Sequence, residues 1–344
     1  MSESVVLVTG AGGEMGHLLL PELRKQGHRV VALDIKPLSP ELAAHCAEFV
    51  EASILDTERL ADLVRRHRPE QIFHLAAILS TRAEQDPTLA HAVNVDGTME
   101  LMTLCANELG AAGRPARFLY PSSIAVYGMP DARTKDSAGA VKEPEWNVPT
   151  GIYGCNKLYC ELLGQYYSRD ERAERRLDFR SIRFPGLISA ETVPSGGTSD
   201  YAPEMIHAAA QGKAYTCFVG PETRMPFMTM VDAVSAFLDL ASAPETDLTR
   251  RVYNIRAFSP TAAGIRDRVV DVFPDAVIDF EPDVRRQAIV DSWPADVDDD
   301  HARKDWGFAP RHGLDEALRD YLLPALCERY GVEVATSRPD PARR

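Results

Sequence analysis

Short runs of β-branched and aromatic residues alternate with amphipathic stretches through the first half of the chain. VVLVTG (Val5–Gly10), RVVALD (Arg29–Asp34), EFVEAS (Glu48–Ser53), QIFHLAA (Gln71–Ala77), RFLYPSS (Arg117–Ser123) and DFRSIRF (Asp178–Phe184) read as strands, with helical patterns between them. Strand and helix in strict alternation build a parallel sheet covered on both faces, so its strands can be apolar almost throughout. Beyond Pro185 the rhythm changes to a loop, a helix from about Tyr201, and short strands separated by helices. The expectation is an α/β protein: a doubly wound parallel sheet with a smaller, interleaved C-terminal α/β lobe. RMPFMTMVDAVSAFLDLA (Arg224–Ala241) is expected to run a strand back into the large sheet before a helix. The division expected is therefore 1–185 with parts of about 224–255, then 186–330, with 331–344 a flexible tail.

Composition narrows the class. The 344 residues are 45% hydrophobic and 26% charged, enough for about two domains. No apolar run reaches the roughly 20 residues that span a bilayer, and MSESVVLVTG has no targeting pattern, so no membrane association and a cytoplasmic location are expected. The six cysteines show no CxxC pair and the nine histidines no HExxH spacing, which points to reduced, mostly core thiols and to no metal. A formal net charge of −13 argues against nucleic acid, and RRHR (Arg65–Arg68) reads as an exposed helix end.

TGAGGEMG follows the first strand and opens the first helix, with Gly10, Gly13 and Gly16 spaced GxxGxxG around Met15. Glycine lets backbone approach a pyrophosphate at a helix N-terminus, where free N–H groups and the dipole favour an anion. Asp34 ends the second strand, where a carboxylate accepts both hydroxyls of an adenosine ribose and repels a 2′-phosphate; NAD is favoured over NADP, with Lys36 the one nearby cation. The spacing resembles that of the extended short-chain dehydrogenase/reductases, a Rossmann-type family. The resemblance implies that Ser53 and Ile54 flank the adenine. It also implies that Leu75, Ala76 and Ala77 of HLAA line the dinucleotide, that Asn94 supports the site, and that Phe184 and Pro185 border the cofactor. His74 reads as a strand-end cap.

YGCNK places Tyr153 and Lys157 at i and i+4 on one helical face. A neighbouring ammonium is expected to lower the phenol pKa so that Tyr153 accepts a hydroxyl proton. Upstream, PSSIAVYG puts Ser123 at the C-terminal edge of the sheet, where such sheets bind ligands. Strand alternation sends Ser122 to the other face, and helical geometry turns Cys155 away toward packing. The resemblance implies that Ser123 holds the substrate oxygen, that Tyr153 takes its proton, and that Lys157 also grips the nicotinamide ribose. The reaction class is alcohol oxidation or its reverse.

The loop after the sixth strand, RFPGLISAETVPSGGTSDYA, lacks the N-x-Y-G-P pattern of nucleotide-sugar enzymes. With HLAAILS, KAYTCF, RMPFM, RRQAIVDSWP and DDDHARKDWGF, it resembles the short-chain type of NAD-dependent L-threonine 3-dehydrogenase, Ser195 and Ser199 departing from the GGGTTDYA-like pattern. Glycines and the Thr198 hydroxyl suit a small zwitterion's carboxylate, with Ser80 a second donor. Asp200 either faces the ammonium or caps the helix at Tyr201. Gly186 and Gly197 are expected at the substrate, and the resemblance implies that Trp293 closes over it. It further implies oxidation of the L-threonine 3-hydroxyl to 2-amino-3-oxobutanoate, which loses CO₂ to give aminoacetone, by a homodimer. The rival readings are a nucleotide-sugar epimerase or dehydratase, and a non-catalytic NAD-binding regulator.

Overall fold

The computed structural model describes residues 3–110, 115–169, 175–194 and 197–332. Seven parallel strands form the central sheet: β1 (Val5–Thr9), β2 (Arg29–Asp34), β3 (Glu48–Glu51), β4 (Gln71–His74), β5 (Arg117–Ser123), β6 (Asp178–Phe184) and β7 (Val252–Asn254). Their order is β3-β2-β1-β4-β5-β6-β7. The order reverses between β1 and β4, which opens a crevice at their carboxyl ends.

Alternation along β1 distributes the core. Val6 and Val8 face helices α1 (Glu14–Lys25) and α6 (Met230–Ser242), with Leu19, Leu23 and Phe237 in one cluster. Leu7 faces the opposite side, where α2 (Thr57–His67), α3 (Gly97–Leu109) and α4 (Ile152–Tyr167) supply Leu60, Leu101 and Cys160. Phe237 meets Phe73 and Phe184 edge-on, with centroids 5.3 and 5.5 Å away, so α6 is pinned across the sheet.

Two glycines let α4 lie against the sheet. A Cβ on Gly154 would sit 2.0 Å from the Ala125 carbonyl oxygen, and one on Gly164 would sit 2.3 Å from the Phe179 ring. Every residue of β6 is buried, including two arginines. Arg180 pairs with Asp178 (2.6 Å) and donates to the carbonyls of Leu240 and Ala243, so a side chain of the sheet caps the end of α6.

A further core joins Ile124–Tyr127, beyond β5, to residues of the C-terminal half, among them Met205 and Ile206 of α5 (Tyr201–Ala210), Phe227, Val269 and Trp293. Val290 of α7 (Val284–Asp291) also belongs to it. Three short parallel pairs surround it: Gly186–Ile188 with Phe227–Thr229, Tyr215–Cys217 with Ile278–Phe280, and Ala140–Val141 with Asp296–Val297.

The strand expected within Arg224–Ala241 does not enter the large sheet. Phe227–Thr229 pairs instead with Gly186–Ile188, and what returns to the sheet is α6 and then β7. β3 and β4 are also shorter than their apolar runs, because the chain turns off after Glu51 and His74, the latter turn bringing Leu75 to the crevice. Of the tail expected at 331–344, only Gly331 and Val332 lie within the described residues. No helix among the described residues is long and apolar enough to cross a membrane.

Arg180→Ala uncaps α6 and leaves the Asp178 carboxylate to Arg251 (3.2 Å) and Arg117 (3.5 Å). It is expected to cost about 2–4 kcal/mol, because the charge-assisted bonds to Asp178 and to two carbonyls at the end of α6 are lost together. Calorimetry reads this directly: a fall in Tm below about 2 °C would show the pair to be energetically idle.

Candidate active site

The crevice holds a cavity of about 290 Å³ bordered by the glycine turn, the end of β5, the start of α4 and the loop before α5. Gly10 has φ +68°, and a Cβ there would lie 2.5 Å from the Ala76 nitrogen. On Gly16 it would lie 2.0 Å from the Ala11 oxygen. Both glycines are required by packing alone. Gly13 differs: it is the N-cap of α1 without a side-chain cap, and Gly13, Glu14, Met15 and Gly16 all line the cavity. The first turn of α1 therefore offers unclaimed N–H groups to an anion. At the end of β2 the Asp34 carboxylate accepts the Gly12 N–H (2.9 Å) and the Lys36 N–H (3.0 Å), which ties it to the same turn. An open helix N-terminus beside a strand-end carboxylate fits a dinucleotide with free ribose hydroxyls.

The other expected cofactor residues divide. Leu75, Ala77, Phe184 and Pro185 line the cavity, while Ala76 backs Gly10. Ser53 and Ile54 follow β3 outside its lining; Ser53 Oγ accepts the Leu55 N–H, and Ile54 is buried against Gly97. Asn94 also lies outside it. Its side chain accepts the Ile78 N–H (2.7 Å) and donates to the Ile78 carbonyl (2.9 Å), fixing the segment that leads to Ser80. His74 is fully enclosed between Thr9 (2.6 Å) and Thr98 (2.8 Å). Because Thr98 spends its proton on the Asn94 carbonyl, His74 donates to Thr98 and accepts from Thr9. Burial drives its pKa down to about 3, so it is a neutral strut.

At the end of β5 the adjacent serines part as alternation requires. Ser122 donates to Glu161 at 2.5 Å on the buried side, and Glu161 also pairs with Arg183 at 2.6 Å. Ser123 Oγ accepts the Ala125 N–H at 3.2 Å, which leaves its own proton to donate. Ser123, Tyr153 and Lys157 all border the cavity. The expected lowering of the Tyr153 phenol is absent. Burial pushes that phenol up, while Lys157 donates to the Pro121 carbonyl at 2.6 Å and lies 5.6 Å from the Tyr153 ring centroid. Burial also pulls the Lys157 ammonium down to about 8, so desolvation outweighs mutual attraction in this state. Cys155 is exposed, so its expected packing role does not hold.

Across the cavity, Ser80 Oγ and Thr198 Oγ1 meet at 3.1 Å although 118 residues separate them. Gly186, Gly197 and Trp293 complete that wall. Ser195 lies outside the described residues. Asp200 lines the cavity and does not take the expected capping role. It stands at the N-cap of α5 without capping it, and its carboxylate turns back to the Gly197 N–H at 2.6 Å.

Among the lining residues that sequence reasoning missed are Glu14, Met225 and Met230. The methionines gave only a short apolar signal in RMPFMTM. Glu14 gave a clearer one, an acid in the first turn of a helix expected to receive phosphates. Burial, and then Asp200 opposite, raise its carboxyl pKa.

Comparison with known proteins agrees with this geometry. The bovine (Bos taurus) mitochondrial L-threonine 3-dehydrogenase is 36% identical over 319 residues, 92% of this chain and 81% of that protein. The crystal structure of L-threonine dehydrogenase from Clostridium difficile superposes with a TM-score of 0.85 at 32% identity, covering 96% of this chain and 99% of that one. A monomeric L-threonine 3-dehydrogenase from a metagenome gives a TM-score of 0.84 at 32% identity, over 94% and 99%. Residues 6–255 match the model of the NAD dependent epimerase/dehydratase family. The chain belongs to that family.

Proposed function

We propose that the protein is an NAD-dependent L-threonine 3-dehydrogenase whose site residues are those the cavity brings together. The observation that carries this reading is the meeting of Ser80 and Thr198 opposite Ser123 and Tyr153 in one small cavity. Two hydroxyls suit a carboxylate, and a third with a phenol suits a secondary alcohol. In this proposal residues 1–185, with parts of 224–255, hold the dinucleotide and 186–330 hold the substrate. The glycine turn and Asp34 would hold NAD⁺, which would supply the hydride acceptor for C3. Ser123 orients the 3-hydroxyl, Tyr153 accepts its proton, and Lys157 supports the phenolate that proton loss requires. The products are 2-amino-3-oxobutanoate and NADH, and the β-keto acid then loses CO₂ to give aminoacetone. The cavity lining supports this over a nucleotide-sugar substrate, since among the described residues it includes no arginine to meet a diphosphate.

The outward face of α4 supports a homodimer, because Tyr159, Leu162 and Tyr166 expose 46, 59 and 45% of their surfaces at helical spacing. A cytoplasmic location is the companion proposal, supported by six free cysteines.

Initial rates decide the substrate. L-threonine with NAD⁺ is expected to yield NADH, and a protein inert to threonine that converts a UDP-sugar would refute the assignment. The serine pair separates chemistry from structure. Ser123→Ala and Tyr153→Phe are each expected to lower kcat about 10²-fold or more. Ser122→Ala should instead lower Tm and leave kcat nearly intact. With Tyr153 raised by burial, its phenolate is scarce at neutral pH, so kcat/KM should climb as pH rises into the alkaline range.

Glu14 places a carboxyl where pyrophosphate is expected. Glu14→Gln should tighten NAD⁺ about twofold to fivefold at alkaline pH, and titration calorimetry showing weaker binding would make Glu14 a positive contributor instead. Light scattering at micromolar protein tests the dimer, and Leu162→Glu is expected to yield monomers.

A further inference from the structure

α7 reaches both substrate-facing groups of the C-terminal half without lining the cavity itself. In its first turn Arg286 lays its guanidinium on the Phe218 ring and donates from Nη2 to the Gly197 carbonyl at 2.8 Å. The Gly197 N–H is already held by Asp200 at 2.6 Å. Both backbone groups of the residue before Thr198 are thus fixed by side chains.

At the other end of α7 the Val290 carbonyl accepts a backbone and a side-chain donor from outside the helix. One is the Trp293 N–H at 3.1 Å, and the other is Lys135 Nζ at 2.8 Å. Lys135 is 3% exposed, and burial pulls its ammonium down to about 8 against the opposing pull of Asp291 and Asp136. A lysine is not enclosed there without cost, and the carbonyl it meets is the one from which Trp293 hangs. The neighbouring Ser292 is tied at its carbonyl to the Met129 N–H (2.7 Å) and at its hydroxyl to Thr150 (2.8 Å). That end of α7 is therefore anchored to the segment between Ser123 and Tyr153.

We propose that α7 is a strut that sets the spacing between Thr198 and Trp293 across the substrate, and that Arg286 and Lys135 are the positioning residues at its two ends. The proposal deepens the threonine dehydrogenase reading and rests on it. Neither residue touches the reacting atoms. Both act by holding a peptide group whose neighbour faces the cavity, so their loss weakens substrate binding and leaves the dinucleotide half unchanged. The two ends share one rigid element, so their effects are coupled.

The test uses the full-length protein with Arg286→Met, Arg286→Lys, Lys135→Met, Lys135→Arg and the double Met variant. Wild-type turnover of L-threonine is established first; its failure removes the reading on which the strut rests and is seen before any variant is made. Each Met variant is expected to raise KM for L-threonine about tenfold, with kcat and the NAD⁺ Kd changing less than about twofold. Lys135→Arg keeps a donor at Val290 and should recover most of the loss. Arg286→Lys keeps the charge without the planar fork and should recover less. The double variant should fall short of the product of the single effects. An unchanged KM in the Met variants, or KM and NAD⁺ Kd rising together, overturns the proposal. Should Lys135→Met fail to fold, the Arg286 pair alone decides it by the same criteria. A second readout is independent of turnover: with Trp146→Phe and Trp306→Phe in place, Trp293 emission should shift on Lys135→Met and return toward the parent spectrum on Lys135→Arg, and an identical spectrum on Lys135→Met counts against the strut.

Discussion

The site depends on how closely α4 lies against the end of β5. Gly154 passes so near the Ala125 carbonyl that a methyl group would overlap it. That approach brings Tyr153 and Lys157, on the helix, beside Ser123, on the strand. Glu161, one turn beyond Lys157, holds the approach from behind by bonding to Ser122 and Arg183 together. The polar cluster is buried, so it rewards complete satisfaction and penalises any missing partner. One face of α4 thus presents the proposed catalytic pair while the next turn secures the register.

Electrostatics in this pocket follow desolvation more than pairing. Lys157 sits among the Tyr120 ring, the Pro121 carbonyl and Tyr153, and loses hydration without gaining a carboxylate at contact distance. His74 loses its charge entirely for the same reason. The crevice is therefore a low-dielectric place in which a few fixed dipoles act strongly.

Much of this was legible in the sequence because apolar runs and sheet position coincide. β2, β5 and β6 begin and end where their patterns do, since each lies between two partner strands in the sheet. Period-two alternation was enough to separate Ser122 from Ser123. Other features depend on contacts that no local pattern encodes. Phe227–Thr229 reads like a strand of the main sheet, yet it pairs with Gly186–Ile188 because the chain has already left that sheet at Pro185. Arg180 and Arg183 interrupt an apolar strand, and only the arrival of α6 and α4 makes their burial tolerable. Asp200 was ambiguous for a similar reason: a carboxylate three residues from a glycine N–H can close its own turn, and it does. The phenol shift was misjudged because a lysine one helical turn away says nothing about how much water either group retains.

Asp34 carries a consequence for how this scaffold can change. Its two oxygens are already engaged by the Gly12 and Lys36 amides, so the carboxylate is a structural part of the turn as well as the proposed acceptor of the ribose hydroxyls. Replacing it to admit a phosphorylated ribose would release two backbone donors and loosen the loop that must receive the pyrophosphate. Cofactor preference is thus embedded in the stability of the turn. A lineage evolving toward the other dinucleotide would have to rebuild residues 10–13 and 34–36 together, and single-step drift in that direction is penalised before any benefit arrives.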